Sequence, residues 1–107
     1  MILPSAQIWP FEVDAAYPTQ IAGQDMDTYH RWMQVVGPVS LLGLPALAVP
    51  AGFGAQGLPM GLQIFGPRRS DRRLLSLGAS YHTATLWPQK RPAMNLTMNL
   101  ATKPAEQ

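Results

Sequence analysis

Gly52-Phe53-Gly54-Ala55-Gln56-Gly57 carries the spacing G-x-G-x-x-G, which in dinucleotide-binding proteins lets backbone approach a pyrophosphate at the start of a helix. Here the run continues through Leu58-Pro59 into Gly61-Leu62-Gln63-Ile64-Phe65, an apolar, strand-like stretch. The glycines are therefore read as a hairpin loop in which they supply positive φ, and no cofactor is expected. Ser80 and His82 set a hydroxyl two residues from an imidazole. The surrounding pattern is helical, and side chains two apart on a helix point about 200° apart, so they cannot share a proton. A nucleophile elbow would require a strained strand-to-helix turn; His82 is expected at the edge of the core instead. His30 and His82 are the only imidazoles, neither stands in a ligand spacing, and the chain has no cysteine, so no metal site is expected.

Two further clusters carry charge. Asp25 and Asp27 have the types for acid and base work, but they precede an apolar-periodic run and are read as helix N-caps. Arg68-Arg69-Ser70-Asp71-Arg72-Arg73 could clamp an anion. It lacks interleaved aromatics for base stacking and is read as the solvated start of a helix, although cations near a helix N-terminus are electrostatically unfavourable. Trp9, Phe11, Trp32 and Met33 remain as candidates for substrate contact, because loop aromatics beside an apolar face suit the wall of a hydrophobic pocket. Core packing is the competing and favoured role for them.

The elements that would position these residues follow from periodicity. Met1 to Leu3 reads as a strand end stopped by Pro4, followed by a long loop through Ala22. Tyr29, Trp32, Met33 and Val36 have the i, i+3, i+4, i+7 spacing of an amphipathic helix that Gly37-Pro38 would end. Ala46 to Val49 and Gly61 to Phe65 read as strands buried on two faces, joined as an antiparallel hairpin. Ser70 would cap a helix carrying Leu74, Leu77, Tyr81 and Ala84 on one stripe, with Leu75, Ala79, His82 and Leu86 beside it, so that a broad face is buried. Residues 1–87 are expected to form one unit, and 88–107 a flexible or loosely docked tail.

Composition bounds the function. With 107 residues the chain can make at most one modest domain. Its charged fraction of 13% is well below the quarter or so usual for soluble domains, so its surface is expected to need cover from elsewhere. A formal charge of +2, from 8 basic and 6 acidic residues, argues for neither nucleic acid nor an anionic membrane as partner. The 36 residues from Trp32 to Pro67 hold no charge, but Gly and Pro interrupt them, leaving no stretch near the ~20 apolar residues of a spanning helix. Met1 to Pro10 lacks a basic n-region. A cytoplasmic location is expected.

Pro38-Val39-Ser40-Leu41-Leu42-Gly43-Leu44-Pro45, the following Val49-Pro50-Ala51-Gly52-Phe53, and Gly57-Leu58-Pro59-Met60-Gly61-Leu62-Gln63-Ile64-Phe65-Gly66-Pro67 together resemble the C-terminal signature of the amidase signature family. The resemblance extends over roughly residues 1–87. It implies an α/β fold fragment made of apolar strands with one hairpin and two main helices. It also implies a lineage of aryl and aliphatic amidases and of the amidase subunit of tRNA-dependent amidotransferases. Such enzymes use a serine nucleophile, a second serine in a cis peptide and a lysine, all upstream of this signature. The Gly/Ser-rich motif that holds the serines is absent here, and the only lysines are Lys90 and Lys103. The resemblance thus implies an amide-hydrolase portion with no catalytic residue of its own and no activity alone. Its partner would be the N-terminal amidase segment or another copy, and a small amide would be substrate only in the complete enzyme. Trp32-Met33 stand where glutamine-using members carry an acidic residue, and Ser40 stands at an Asn position; these departures favour an apolar or aromatic amide over glutamine. The alternative is a non-catalytic, self-associating module.

Overall fold

The computed structural model describes residues 1–92. Strand β1 (Ile2–Pro4) leads into a long loop that contains a tight two-residue ribbon, β2 (Gln20–Ile21) and β3 (Gln24–Asp25). A 3-10 turn at Arg31–Met33 and a short helix α1 (Gly37–Leu41) precede the long hairpin β4 (Ala46–Phe53) and β5 (Pro59–Phe65). Helix α2 (Asp71–Thr85) and a 3-10 turn at Trp87–Gln89 follow. The sheet is antiparallel, in the order β1-β5-β4. It has the expected strands and the expected hairpin, with β5 in the centre. The part of the expected tail from 93 to 107 lies outside the described residues.

The β4–β5 ladder breaks once. Pro50 faces Gly61 and Gly52 faces Met60, which leaves Ala51 as the extra residue of a bulge. Pro50 has no N–H to give to a ladder, and Gly52 takes φ +108, a value that side-chain-bearing residues avoid. The bulge is also where the end of α2 docks. The Tyr81 hydroxyl donates to the Pro50 carbonyl at 2.8 Å, and the Trp87 ring fills the space beside Gly52, its Cζ2 2.9 Å from where a Cβ would stand. Higher on α2, Gly78 lets Leu47 of β4 approach the helix backbone.

Three expectations need correction. No helix runs from Asp27 to Val36. In an α-helix the N–H of Val35 would bond to the carbonyl of Arg31, but the Gln7 side chain intercepts both groups. Its Oε1 accepts from Val35 N–H at 2.7 Å and its Nε2 donates to Arg31 O at 3.3 Å. Only the 3-10 turn survives, and helix begins at Gly37-Pro38, the residues expected to end it, because Pro is well suited to a first helical turn. Asp25 and Asp27 cap nothing: Asp25 lies in β3 and accepts from Gln20 Nε2 at 3.0 Å, while Asp27 pairs with Arg31 at 3.2 Å.

The second correction is to α2, of which only Leu74 is buried; Leu75 and Leu77 are 64% and 49% exposed, and His82 is exposed rather than at the core edge. Ser70 occupies the N-cap position, but its hydroxyl donates to Pro67 O at 2.6 Å and satisfies none of the helix's free N–H groups. The third is to β4, which is covered on one side only. Leu47, Val49 and Ala51 are half-buried and alternate with exposed Ala46, Ala48 and Pro50. The buried apolar core among the described residues is Met26, Val39, Ile64, Phe65 and Leu74, with no side chain fully enclosed. Leu41 and Leu42 stand 89% and 59% exposed beside it, so much of the apolar pattern finds no cover within this chain.

Candidate functional site

The loop after β1 returns across the start of β5. Ser5 N–H donates to Gly61 O at 3.0 Å. The crossing runs tight against glycine: a Cβ on residue 61 would sit 2.5 Å from Ser5 Oγ and 3.3 Å from the Val49 carbonyl, so the Ser5 hydroxyl would have to turn away. This crossing carries Ile8, Trp9 and Phe11 over Pro59 and Met60 and forms one side of a cavity of about 350 Å³ that is open to solvent, with Trp9 and Phe11 44% and 40% exposed. Trp32, brought in by the 3-10 turn, forms the facing wall. The cavity falls near the lower end of the range for small-molecule sites.

Aromatic edge-to-face contacts set its shape. Phe11 and Trp32 meet with ring centroids 5.7 Å apart at 87°. Tyr29 meets Trp32 at 5.9 Å and Tyr17 at 5.7 Å. Each such pair favours one relative orientation through the ring quadrupoles. Trp9 is held on another side by the hairpin loop, its Cη2 2.8 Å from where a Cβ on Gly54 would be. The Trp32 indole N–H is buried without an acceptor among the described residues, an arrangement that costs about 1–3 kcal/mol when nothing fills it.

The structure therefore brings together three of the four sequence-derived candidates, Trp9, Phe11 and Trp32, around one cavity, whereas Met33 is half-buried and does not line it. Sequence reasoning missed Met60, Tyr17 and Tyr29, and above all Gln7 and Gln63. Gln63 is 6% exposed in an otherwise apolar strand. Its Nε2 donates to Pro4 O at 3.0 Å and to Val35 O at 2.8 Å. A lone amide inside an apolar run was the available signal, since a buried amide must find partners.

The other motifs take structural roles. The Gly52 to Gly57 loop turns β4 into β5, with Gly54 N–H donating to Leu58 O at 2.9 Å, and no helix follows it. Ser80 lies on α2 with its hydroxyl donating to Ser76 O at 3.2 Å. Lys90 stands over Trp87, Nζ 4.5 Å from the ring centroid. Among the described residues there is no group of three or more His, Asp or Glu that could hold a metal, no cis peptide bond, and no helix long and apolar enough to cross a membrane. Taken alone, this arrangement offers an open apolar face against which an apolar or aromatic group can rest.

Comparison with known proteins gives the family and the fold. The sequence model of the Amidase family matches residues 1–75. A glutamyl-tRNA(Gln) amidotransferase subunit of Ralstonia nicotianae is 52% identical over 54 residues, half of this chain and 11% of that protein. The protein of the same name from Bordetella avium is 53% identical over 55 residues, 51% of this chain and 11% of the relative. Among solved structures, a bacterial aryl acylamidase of the amidase signature enzymes superposes with a TM-score of 0.70 at 29% identity, covering 82% of this chain and 18% of that one. The chain thus spans about a tenth of the length of the curated relatives it matches.

Proposed function

This chain belongs to the Amidase family, and from that membership we propose that it is the C-terminal portion of an amide hydrolase. In this role it supplies three sheet strands and one wall of an amide-binding pocket, while the nucleophile and its lysine come from chain outside it. Alone it does not turn over substrate. The observation that carries the reading is the coincidence of the family match with a cavity walled by Trp9, Phe11 and Trp32. The uncovered leucines of α1 and α2 support it, because this chain spans only 18% of the aryl acylamidase it resembles and the remainder of such a domain would be there to cover them.

The pocket chemistry favours an amide with an aromatic or bulky apolar group. Rings meeting edge to face offer apolar walls to such a group. The name of the aryl acylamidase points to the same substrate class. Trp9, Phe11 and Trp32 would contact that group directly; Met33 would act only from behind the wall.

The test is hydrolysis of 4-nitroacetanilide by the purified 107-residue chain. No nitroaniline should be released. Release above the background of a mock purification, in step with chain concentration, overturns the reading. A self-associating module is the competing account of the same exposed leucines, and a stable dimer of this chain that resists dilution and ignores added amidase segments would favour it.

A further inference from the structure

We propose that Gln7 and Gln63 are positioning residues for Trp32, and that together they set the width of the aromatic cavity and so which amides it admits. The inference rests on the reading of that cavity as the amide pocket. Its physical core is the treatment of one peptide segment. Residues 31–35 have the side-chain spacing of an α-helix, yet Gln7 takes up the Val35 N–H and shares with the Gln34 N–H of the 3-10 turn the Arg31 carbonyl that an α-helical turn would join to it. Gln63 then takes the next free group, the Val35 carbonyl, and ties it to Pro4 at the end of β1. Both hydrogen-bonding groups of Val35 are thereby held by side chains from two other parts of the fold.

Trp32 sits inside that clamped segment and has no polar anchor of its own, since its indole N–H is buried without an acceptor. Its backbone and its edge-to-face contacts with Phe11 and Tyr29 hold it in place. If the clamp is released, the segment regains its local alternative, a regular turn of helix, and the indole rotates away from Phe11. Gln63 is suited to this task because it is buried, where an amide that loses its partners has no water to turn to. It lies on the central strand, so the pocket wall is referenced to the most constrained element of the sheet.

The experiment labels the 107-residue chain with 5-fluorotryptophan, assigns the resonances of Trp9, Trp32 and Trp87 from single Trp→Phe variants, and compares wild type with Gln63→Leu and Gln7→Leu. The expected result is a Trp32 resonance that moves or broadens in both variants while that of Trp87, which packs on Gly52, stays in place. A merely structural role would change overall stability and leave a folded variant's Trp32 signal where it was. Gln7 is only half-buried, so Gln7→Leu carries the test if Gln63→Leu does not fold. An unchanged Trp32 resonance in a folded variant overturns the proposal. Acetanilide titrated into the same chains, each paired with the remaining segment of a family amidase so that the pocket has all its walls, separates the two readings. Binding to wild type that weakens about tenfold in the variants, the ratio of one lost anchoring interaction, supports both. A shifted Trp32 with equal acetanilide affinity in wild type and variants overturns the claim on pocket selectivity. A shifted Trp32 with no binding to any sample leaves the clamp standing and sinks the amide pocket.

Discussion

The Trp9 ring occupies the space that a side chain on residue 54 would need: a Cβ at Gly54 would lie 2.8 Å from Cη2. The contact joins the hairpin loop to the cavity wall, so a change at a loop glycine is felt in the pocket. The backbone of Gly54, unlike that of Gly52 and Gly57, does not need a positive φ. Gly54→Ala should therefore cost stability only by displacing Trp9, about 1–3 kcal/mol for an overpacked contact. In a denaturant titration of the double-mutant cycle, the penalty should vanish in a Trp9→Ala background; a penalty that persists there would show that the backbone, and not the ring, requires glycine.

Gly52 should behave differently. A Cβ there meets Trp87 at 2.9 Å, and φ is +108. Gly52→Ala then combines steric displacement with backbone strain of about 1–3 kcal/mol. Trp87→Ala should rescue only the steric part. Complete rescue in the same unfolding experiment would mean that the bulge relaxes at no cost.

Neighbouring leucines on α2 make a third prediction. Leu74 is 7% exposed and Leu75 is 64% exposed. Leu74→Ala should lower stability by about 2–5 kcal/mol. Leu75→Ser should change it by no more than about 0.5 kcal/mol, yet weaken association with the remaining part of an amidase domain, measured by sedimentation or titration calorimetry. If Leu75→Ser leaves that association unchanged, this face of α2 is not where the rest of the domain docks.

The Asp27–Arg31 pair is expected to contribute little. Its side chains are 66% and 39% exposed, and such pairs give about 0.3–0.5 kcal/mol at helical spacing. Asp27→Asn should leave the unfolding midpoint almost unmoved between low and high salt. A loss above about 1 kcal/mol would give the pair a role in holding the Trp32 turn.

What could be read from the sequence followed local rules. The β4–β5 hairpin, the loop nature of Gly52 to Gly57 and the long helix from Asp71 all rest on residues near one another in the chain. The turn around Trp32 could not be read, because its helical spacing is overruled by Gln7, 28 residues before Val35, and by Gln63, 28 residues after it. The expected burial of α2 failed for a related reason. Periodicity shows which face of a helix is apolar, not whether this chain provides the surface to cover it. Composition did carry that second message, since 13% charge leaves too few polar side chains for a fully wetted surface. Three pocket aromatics were legible as types in a loop; their convergence depends on the close crossing at Gly61, which no spacing rule reveals.

The central claim is that this chain completes an amide hydrolase whose chemistry lies elsewhere. The most direct measurement is complementation: an aryl acylamidase of the same family, truncated before the stretch that matches this chain, is co-expressed with the 107-residue chain and assayed on 4-nitroacetanilide. The account predicts that neither piece hydrolyses the anilide alone and that the purified pair does, with activity lost when Trp32 is replaced by alanine. A purified, folded pair that stays inactive, or activity from the 107-residue chain by itself, would contradict it.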